Sequence, residues 1–191
     1  INHELSELDG GLAMVEAFSH AIVFRTDAGL VVFDCSNERG GSRVVDAIRG
    51  WSREPCAALV FTHGHIDHVG GSGAFLADAA ARGMPRPRVY AHENVPGRFA
   101  RYRLTDGWNR IINERQFGQF ARRGYALGTT PRFLAEDVAH PDVTYRDRLD
   151  LDVGGLAVEL HHARGETDDH TWAWLPQRRA ICAGDFFIWN F

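Results

Sequence analysis

Cys56-Ala57-Ala58-Leu59-Val60-Phe61-Thr62-His63-Gly64-His65-Ile66-Asp67-His68 is the stretch of this 191-residue chain on which its fold turns. The run from Cys56 to Phe61 follows Pro55 and is continuously apolar, as a strand buried on both faces must be. The next residues change character abruptly. Three of the ten histidines and one carboxylate fall within six positions, His63 to His68. Neutral imidazole is the commonest nitrogen ligand of zinc-type cations, and a carboxylate beside it adds a harder oxygen donor. In an extended segment residues two apart face the same way, so His63 and His65 can grip one ion. Asp67 and His68, adjacent where the chain turns after Ile66, diverge from that pair and can face a second ion. A strand that ends in such a loop matches the place where α/β sheets hold their ligands.

Working outward, residues 12–18, 21–25 and 30–34 are short apolar runs, the last two separated by the turn Asp27-Ala28-Gly29, and predict a strand meander. Ser42 is placed to cap a helix through Val44, Val45, Ala47, Ile48 and Trp51, with Pro55 closing it. After the histidines, Gly70-Gly71-Ser72-Gly73 allows close backbone approach and opens a helix over 74–82. Residues 88–91 read as a strand ending at His92-Glu93-Asn94, followed by an arginine-rich helical region over 96–123. Within it Phe99, Tyr102, Trp108, Ile111, Ile112 and Phe117 form an apolar face, while Arg101, Arg103, Arg110 and Arg115 are solvated, with one or two available to an anionic substrate. Residues 124–141 read as a loop over one face, and strands resume at 143–145, 149–153, 156–162, 171–175 and 180–188.

Composition narrows the function classes. Lysine and arginine number 21 against 25 acids, for a net charge of −4, and the basic residues are scattered, so no nucleic-acid surface is expected. No apolar stretch is long enough to span a bilayer, so a soluble protein without membrane contact is expected. Cys35, Cys56 and Cys182 sit in apolar context and read as reduced core residues, which favours a cytoplasmic setting. The length suits one domain.

Two further acids stand out. The loop Ala163-Arg164-Gly165-Glu166-Thr167-Asp168-Asp169-His170 is too polar to be a plain connection. Asp185 interrupts an apolar run between Ala183 and Phe186, where a carboxylate is costly unless paired or bound to a metal. It is a ligand candidate, the competing role being a strand-end aspartate that caps backbone amides.

Residues 62–71 resemble the signature of the metallo-β-lactamase superfamily, and Ala183-Gly184-Asp185 resembles its later Gly-Asp element; the resemblance runs from about residue 12 to the end. It implies an α/β fold, the αββα sandwich, with a metal site between the two sheets. Most members carry a Pro-Gly-His-Thr segment before the Gly-Asp strand, but this chain has Arg164-Gly165-Glu166-Thr167. A glutamate in that slot, 19 positions before Asp185 (185 minus 166), is similar to the alkylsulfatase branch. That branch usually has glutamate where this chain has Asp185, and carries further C-terminal domains. By position, the resemblance implies that His63, His65 and Glu166 hold one divalent ion and Asp67 and His68 a second, with Asp185 between them. Zinc is the expected metal, with manganese or iron open. The family's second ion normally gains a histidine further downstream. The sequence stops at Trp189-Asn190-Phe191, so the sandwich reads as truncated; for its apolar end, residues 186–191, either the chain is a fragment or a partner surface, such as a second copy, covers it.

Two such cations lower the pKa of water from about 15.7 toward about 7 and polarise a C=O, P–O or S–O group. Asp67 is then the group expected to orient the nucleophile and handle its proton. The expected function is a metal-dependent hydrolase of a small ester-like or anionic substrate, such as a sulfate ester, lactone or thioester. The alternative is a truncated or non-catalytic ligand-binding member of the same fold. No rival nucleophile is visible, since Ser72 lacks the strand-Ser-helix elbow. His170 reads as a substitute ligand, a hydrogen-bonding group for substrate or a loop histidine, and His92, beside Glu93, as a weaker substrate-site candidate. His161 and His162 read as strand residues, one of them supporting the metals from behind.

Overall fold

A computed structural model describes residues 1–121 and 132–188. The chain opens with an antiparallel meander of β1 (Leu5–Asp9), β2 (Leu12–Val15), β3 (Ala21–Thr26) and β4 (Gly29–Phe33). The last three follow the apolar runs of the sequence. β1 does not, because four of its five residues face solvent and it carries no apolar alternation. Helix α1 (Glu38–Trp51) then leads to β5 (Cys56–Val60), and α2 (Ile66–Val69), α3 (Ser72–Ala81), β6 (Arg88–His92), α4 (Val95–Leu104), α5 (Asp106–Ala121) and β7 (Val143–Tyr145) follow. Strands β4 to β7 run parallel and complete a seven-stranded sheet in the order β1-β2-β3-β4-β5-β6-β7. A second, antiparallel sheet holds β8 (Arg148–Val153), β9 (Leu156–His162), β10 (Thr171–Leu175) and β11 (Ala180–Cys182), in the order β11-β10-β9-β8.

The strand period of two explains why β4 and β5 are apolar at every position. Leu30, Val32, Leu59 and Phe61 point to one side, where Val44 and Ile48 of α1, Phe75 of α3 and Phe99 of α4 cover them. Val31, Phe33, Ala58 and Val60 point to the other, against Leu156, Val158, Leu160, Ala173 and Leu175 of the second sheet. The described residues therefore build three layers, helix, sheet and sheet, which are three of the four layers of the expected αββα sandwich. Cys35, Cys56 and Cys182 are buried and unpaired in the two cores. No described helix is long and apolar enough to cross a membrane.

Several local expectations are corrected. The cap of α1 is Asn37, whose side chain accepts from the Gly40 N–H, and Ser42 lies inside the helix. The first turn, Glu38-Arg39-Gly40-Gly41, has no apolar residue, so periodicity alone starts the helix too late. The arginine-rich region is two helices that break at Thr105, with its residues 122 and 123 outside the described part. Phe99 and Tyr102 of α4 are buried, but Trp108 and Ile111 of α5 are 63% and 47% exposed, because no described residue of α5 reaches either core. Of the expected loop over 124–141, residues 124–131 lie outside the described part, and Leu134, Ala135, Val138 and Ala139 pack into the helix-side core. The last strand ends at Cys182, not 188, because Gly184 takes φ +51 and starts a tight turn, Gly184–Phe186. Phe187 and Ile188 are 84% and 66% exposed, and residues 189–191 of the apolar end lie outside the described part.

Candidate metal centre

Because β4 and β5 are parallel neighbours, the residues that follow their carboxyl ends lie side by side. Asp34 follows β4, buried and held at φ +57, a conformation in which an aspartate is more tolerated than most side chains. Its carboxylate accepts from the Thr62 backbone N–H at 2.8 Å, the Thr62 hydroxyl at 2.7 Å and His68 Nδ1 at 2.7 Å. With Nδ1 held by Asp34, His68 turns Nε2 toward Asp185, whose Oδ1 is 3.2 Å away, and toward Asp67, whose Oδ2 is 3.7 Å away. That Nε2 is buried and makes no hydrogen bond. Burial disfavours charge on His68, but the carboxylates of Asp34, Asp67 and Asp185 outweigh it and raise its pKa well above the usual imidazole value.

A second cluster forms beside the first. His63, fully buried, places Nε2 3.1 Å from Glu166 Oε1 and 4.0 Å from Asp185 Oδ2. His65 brings Nδ1 within 2.7 Å of the same glutamate oxygen. The His63 hydrogen bond and the charges of His65 and His63 outweigh desolvation and pull the Glu166 carboxyl down to about 2. Burial, with His63 alongside, lowers the pKa of His65. Asp185 is also lowered, since the His68 contacts outweigh its burial.

Donor atoms of His63, His65 and Glu166 all lie within 4.8 Å of one another, as do those of His63, His68 and Asp185. The first trio groups the three residues expected on one ion. The second differs from expectation, for His63 takes part in both and Asp67 in neither. Asp67 lies just beside, with Oδ2 accepting from the Ser19 hydroxyl at 2.6 Å. A nitrogen and oxygen donor set with a buried, unsatisfied imidazole nitrogen fits a zinc-type cation.

The structure places the two remaining candidates differently. His170 is fully buried, stacked on His63 with ring centroids 4.5 Å apart and pressed against Phe186. Neither ring nitrogen has a hydrogen-bond partner, and burial, helped by the His63 charge, takes its pKa down to about 4. It is a neutral packing ring behind His63 and belongs to neither trio. A Cβ at Gly165 or Gly184 would come within 2.6 or 2.9 Å of its ring nitrogens, so both glycines make room for it. His92 is buried at the end of β6, stacked on His162 at 3.9 Å, with Nδ1 accepting from the Asn94 N–H. It too lies outside both trios. His162 donates from Nδ1 to the His170 carbonyl at 2.9 Å, which supports the loop behind the site.

Asp34, Ser19, Arg98 and Asp169 are the contributors that sequence reasoning missed, the last two through Asp169 Oδ2, which accepts from the Gly64 N–H and from Arg98 Nε. Asp34 left a usable signal, a carboxylate closing an apolar run beside the histidine strand. Ser19 left none, because its partner is 48 positions away.

A profile of the Metallo-beta-lactamase superfamily matches residues 15–188. The linear primary-alkylsulfatase of Pseudomonas sp. (strain ATCC 19151) is 29% identical over 169 residues, covering 82% of this chain and 31% of that protein. Among solved structures, a double mutant of the sec-alkyl sulfatase PisA1 superposes with a TM-score of 0.74 at 22% identity, over 94% of this chain and 30% of that one. A class B3 di-zinc metallo-beta-lactamase from an Alaskan soil metagenome, LRA-12, superposes at 0.63 with 15% identity, over 90% of this chain and 56% of that one. The chain thus spans about a third of the length of its alkylsulfatase relatives. With the two-sheet core, the histidine loop at the end of β5 and a profile match over almost the whole length, the chain belongs to the metallo-beta-lactamase superfamily.

Proposed function

We propose that the protein is a metal-dependent hydrolase that acts on a small anionic ester, and that alkyl sulfate esters are the substrate class to test first. The observation that carries this reading is the convergence of His63, His65, His68, Glu166 and Asp185 from three separate loops into two adjoining donor trios, with His63 and His68 buried and the other three open to solvent in part.

His63, His65 and Glu166 would hold one divalent cation and His63, His68 and Asp185 would face another, with Asp67 beside it. Zinc suits these donors. Bound there, such cations supply Lewis acidity and make water ionisable near neutral pH. The chain's own groups do the rest. Asp34 fixes the His68 tautomer and leaves Nε2 free to coordinate. Asp67, oriented by the Ser19 hydroxyl, presents a carboxylate beside His68 that can accept a proton from water and return it to the leaving group. The sulfate preference rests on Glu166 in the slot that resembles alkylsulfatases, and on relatives named as a primary and a secondary alkylsulfatase.

The test is sulfate release from alkyl sulfates of graded chain length, before and after dialysis against a chelator and after readdition of zinc or manganese. Loss on chelation with recovery on metal is expected. Turnover indifferent to chelation would sink the proposal, and metal-restored turnover of carboxylic or phosphoric esters alone would replace the substrate class.

A further inference from the structure

We infer that Asp169 and Arg98 form a positioning clasp that sets the spacing between His65 and Glu166, and so controls occupancy of the cation site that these two share with His63. The inference rests on the metal-centre reading above and concerns two residues outside the ligand set.

Glu166 and the histidines sit on different loops, and something must hold those loops together at a fixed distance. Part of the tie is a backbone bond from the Thr171 N–H to the Thr62 carbonyl at 2.6 Å, but it lies short of the ligands. Beyond it stands Gly64, between His63 and His65, whose N–H donates to Asp169 Oδ2 at 3.1 Å. Arg98 Nε donates to that same oxygen at 2.7 Å, and Nη2 donates to Asp168 Oδ1 at 2.6 Å. From the N-cap of α4, the helix that carries Arg98, Asn94 Nδ2 donates to the Asp168 carbonyl at 3.1 Å. One carboxylate oxygen thus joins the histidine loop, the loop of Glu166 and helix α4.

Burial makes the clasp stiff. The Asp169 side chain is fully buried and the Arg98 side chain 8% exposed. A charged pair in that setting holds its geometry far better than an exposed one, and loss of either partner strands the other. Gly64 is fitted to it: a Cβ there would lie 2.8 Å from Arg98 Cδ and 2.9 Å from Asp169 Oδ2. The neighbouring trio is held by other means, through Asp34 and Thr62. The clasp should therefore act on one ion more than on the other.

The test is zinc titration of the metal-free protein against a chromogenic chelator, for wild type, Asp169→Ala and Arg98→Lys, with the visible spectrum of the cobalt-loaded forms. Arg98→Lys keeps the charge but lacks the fork that spans Asp168 and Asp169, and serves if Asp169→Ala does not fold. The expected result is two ions in wild type, with one ion about 10- to 100-fold weaker in the variants and an altered cobalt spectrum. Variants that unfold at lower temperature yet bind both ions as wild type does would show a merely structural contact and overturn the inference. Wild-type protein that binds no zinc would overturn the metal-centre reading and the clasp with it.

Discussion

His68 and Asp34 form a buried pair, Nδ1 to Oδ2 at 2.7 Å, in which the aspartate simultaneously fixes the start of the histidine loop through both the N–H and the hydroxyl of Thr62. One carboxylate serves as both the hinge of the loop and the orienter of a candidate ligand. Asp34→Ala should destabilise the protein by about 3–5 kcal/mol, the range for breaking a buried pair. It should also weaken zinc binding about 10- to 100-fold. Urea unfolding and chelator competition measure the two effects. A variant with wild-type stability and affinity would remove Asp34 from this role.

The same pair predicts a pH dependence. In the metal-free protein the folded pKa of His68 stands well above 6.5, so its stabilising contribution is complete below that value and is lost as pH rises through the folded pKa. The stability difference between wild type and His68→Gln, both metal-free, should be largest below pH 6.5 and shrink as pH rises above it through the folded pKa. Zinc must displace the Nε2 proton, so uptake should release protons and weaken toward acid. Calorimetry in buffers of different ionisation enthalpy reads that release.

His63 takes part in both donor trios, whereas His65 takes part in one. His63→Ala should lower the affinity for both ions, and His65→Ala for one. Metal analysis after equilibrium dialysis at limiting zinc separates these outcomes, and equal losses in the two variants would contradict the shared role of His63.

Gly71 faces the Cys35 carbonyl so closely that a Cβ would lie 2.0 Å from it, and 2.7 Å from Gly41 Cα in α1. These neighbours are backbone and cannot rotate away. Gly71→Ala should cost about 1–3 kcal/mol or more, as overpacking does. A thermal melt checks this, and an unchanged midpoint would mean that the helix and loop are not in contact.

The parts that could be read without tertiary information are those whose causes are local. Three strands, 143–145, 156–162 and 171–175, coincide with the apolar runs that predict them, because alternation over one buried face leaves a period of two in the chain. The pairing of His63 with His65 follows from their spacing of two, whereas the grouping of Glu166 with them is only what the family resemblance implies. Where causes are distant, the reading failed. Asn37 and Ser42 are both acceptable caps, and the choice between them depends on how the start of α1 meets Gly71. Trp108 and Ile111 are three positions apart, as on one helical face, yet α5 as a whole is barely amphipathic and neither residue joins a core.

By itself, then, the order of residues determined which side chains could bind a cation and which segments had to be buried, since donor chemistry and apolar period are written along the chain. Only the tertiary structure decided that His170 is a packing ring, that His63 faces both carboxylates, and that Asp34, Arg98 and Asp169 hold the loops in place. Such contacts join residues 34 and 71 positions apart, and pairing across that separation is settled by the packing of sheets and helices, which no local pattern encodes.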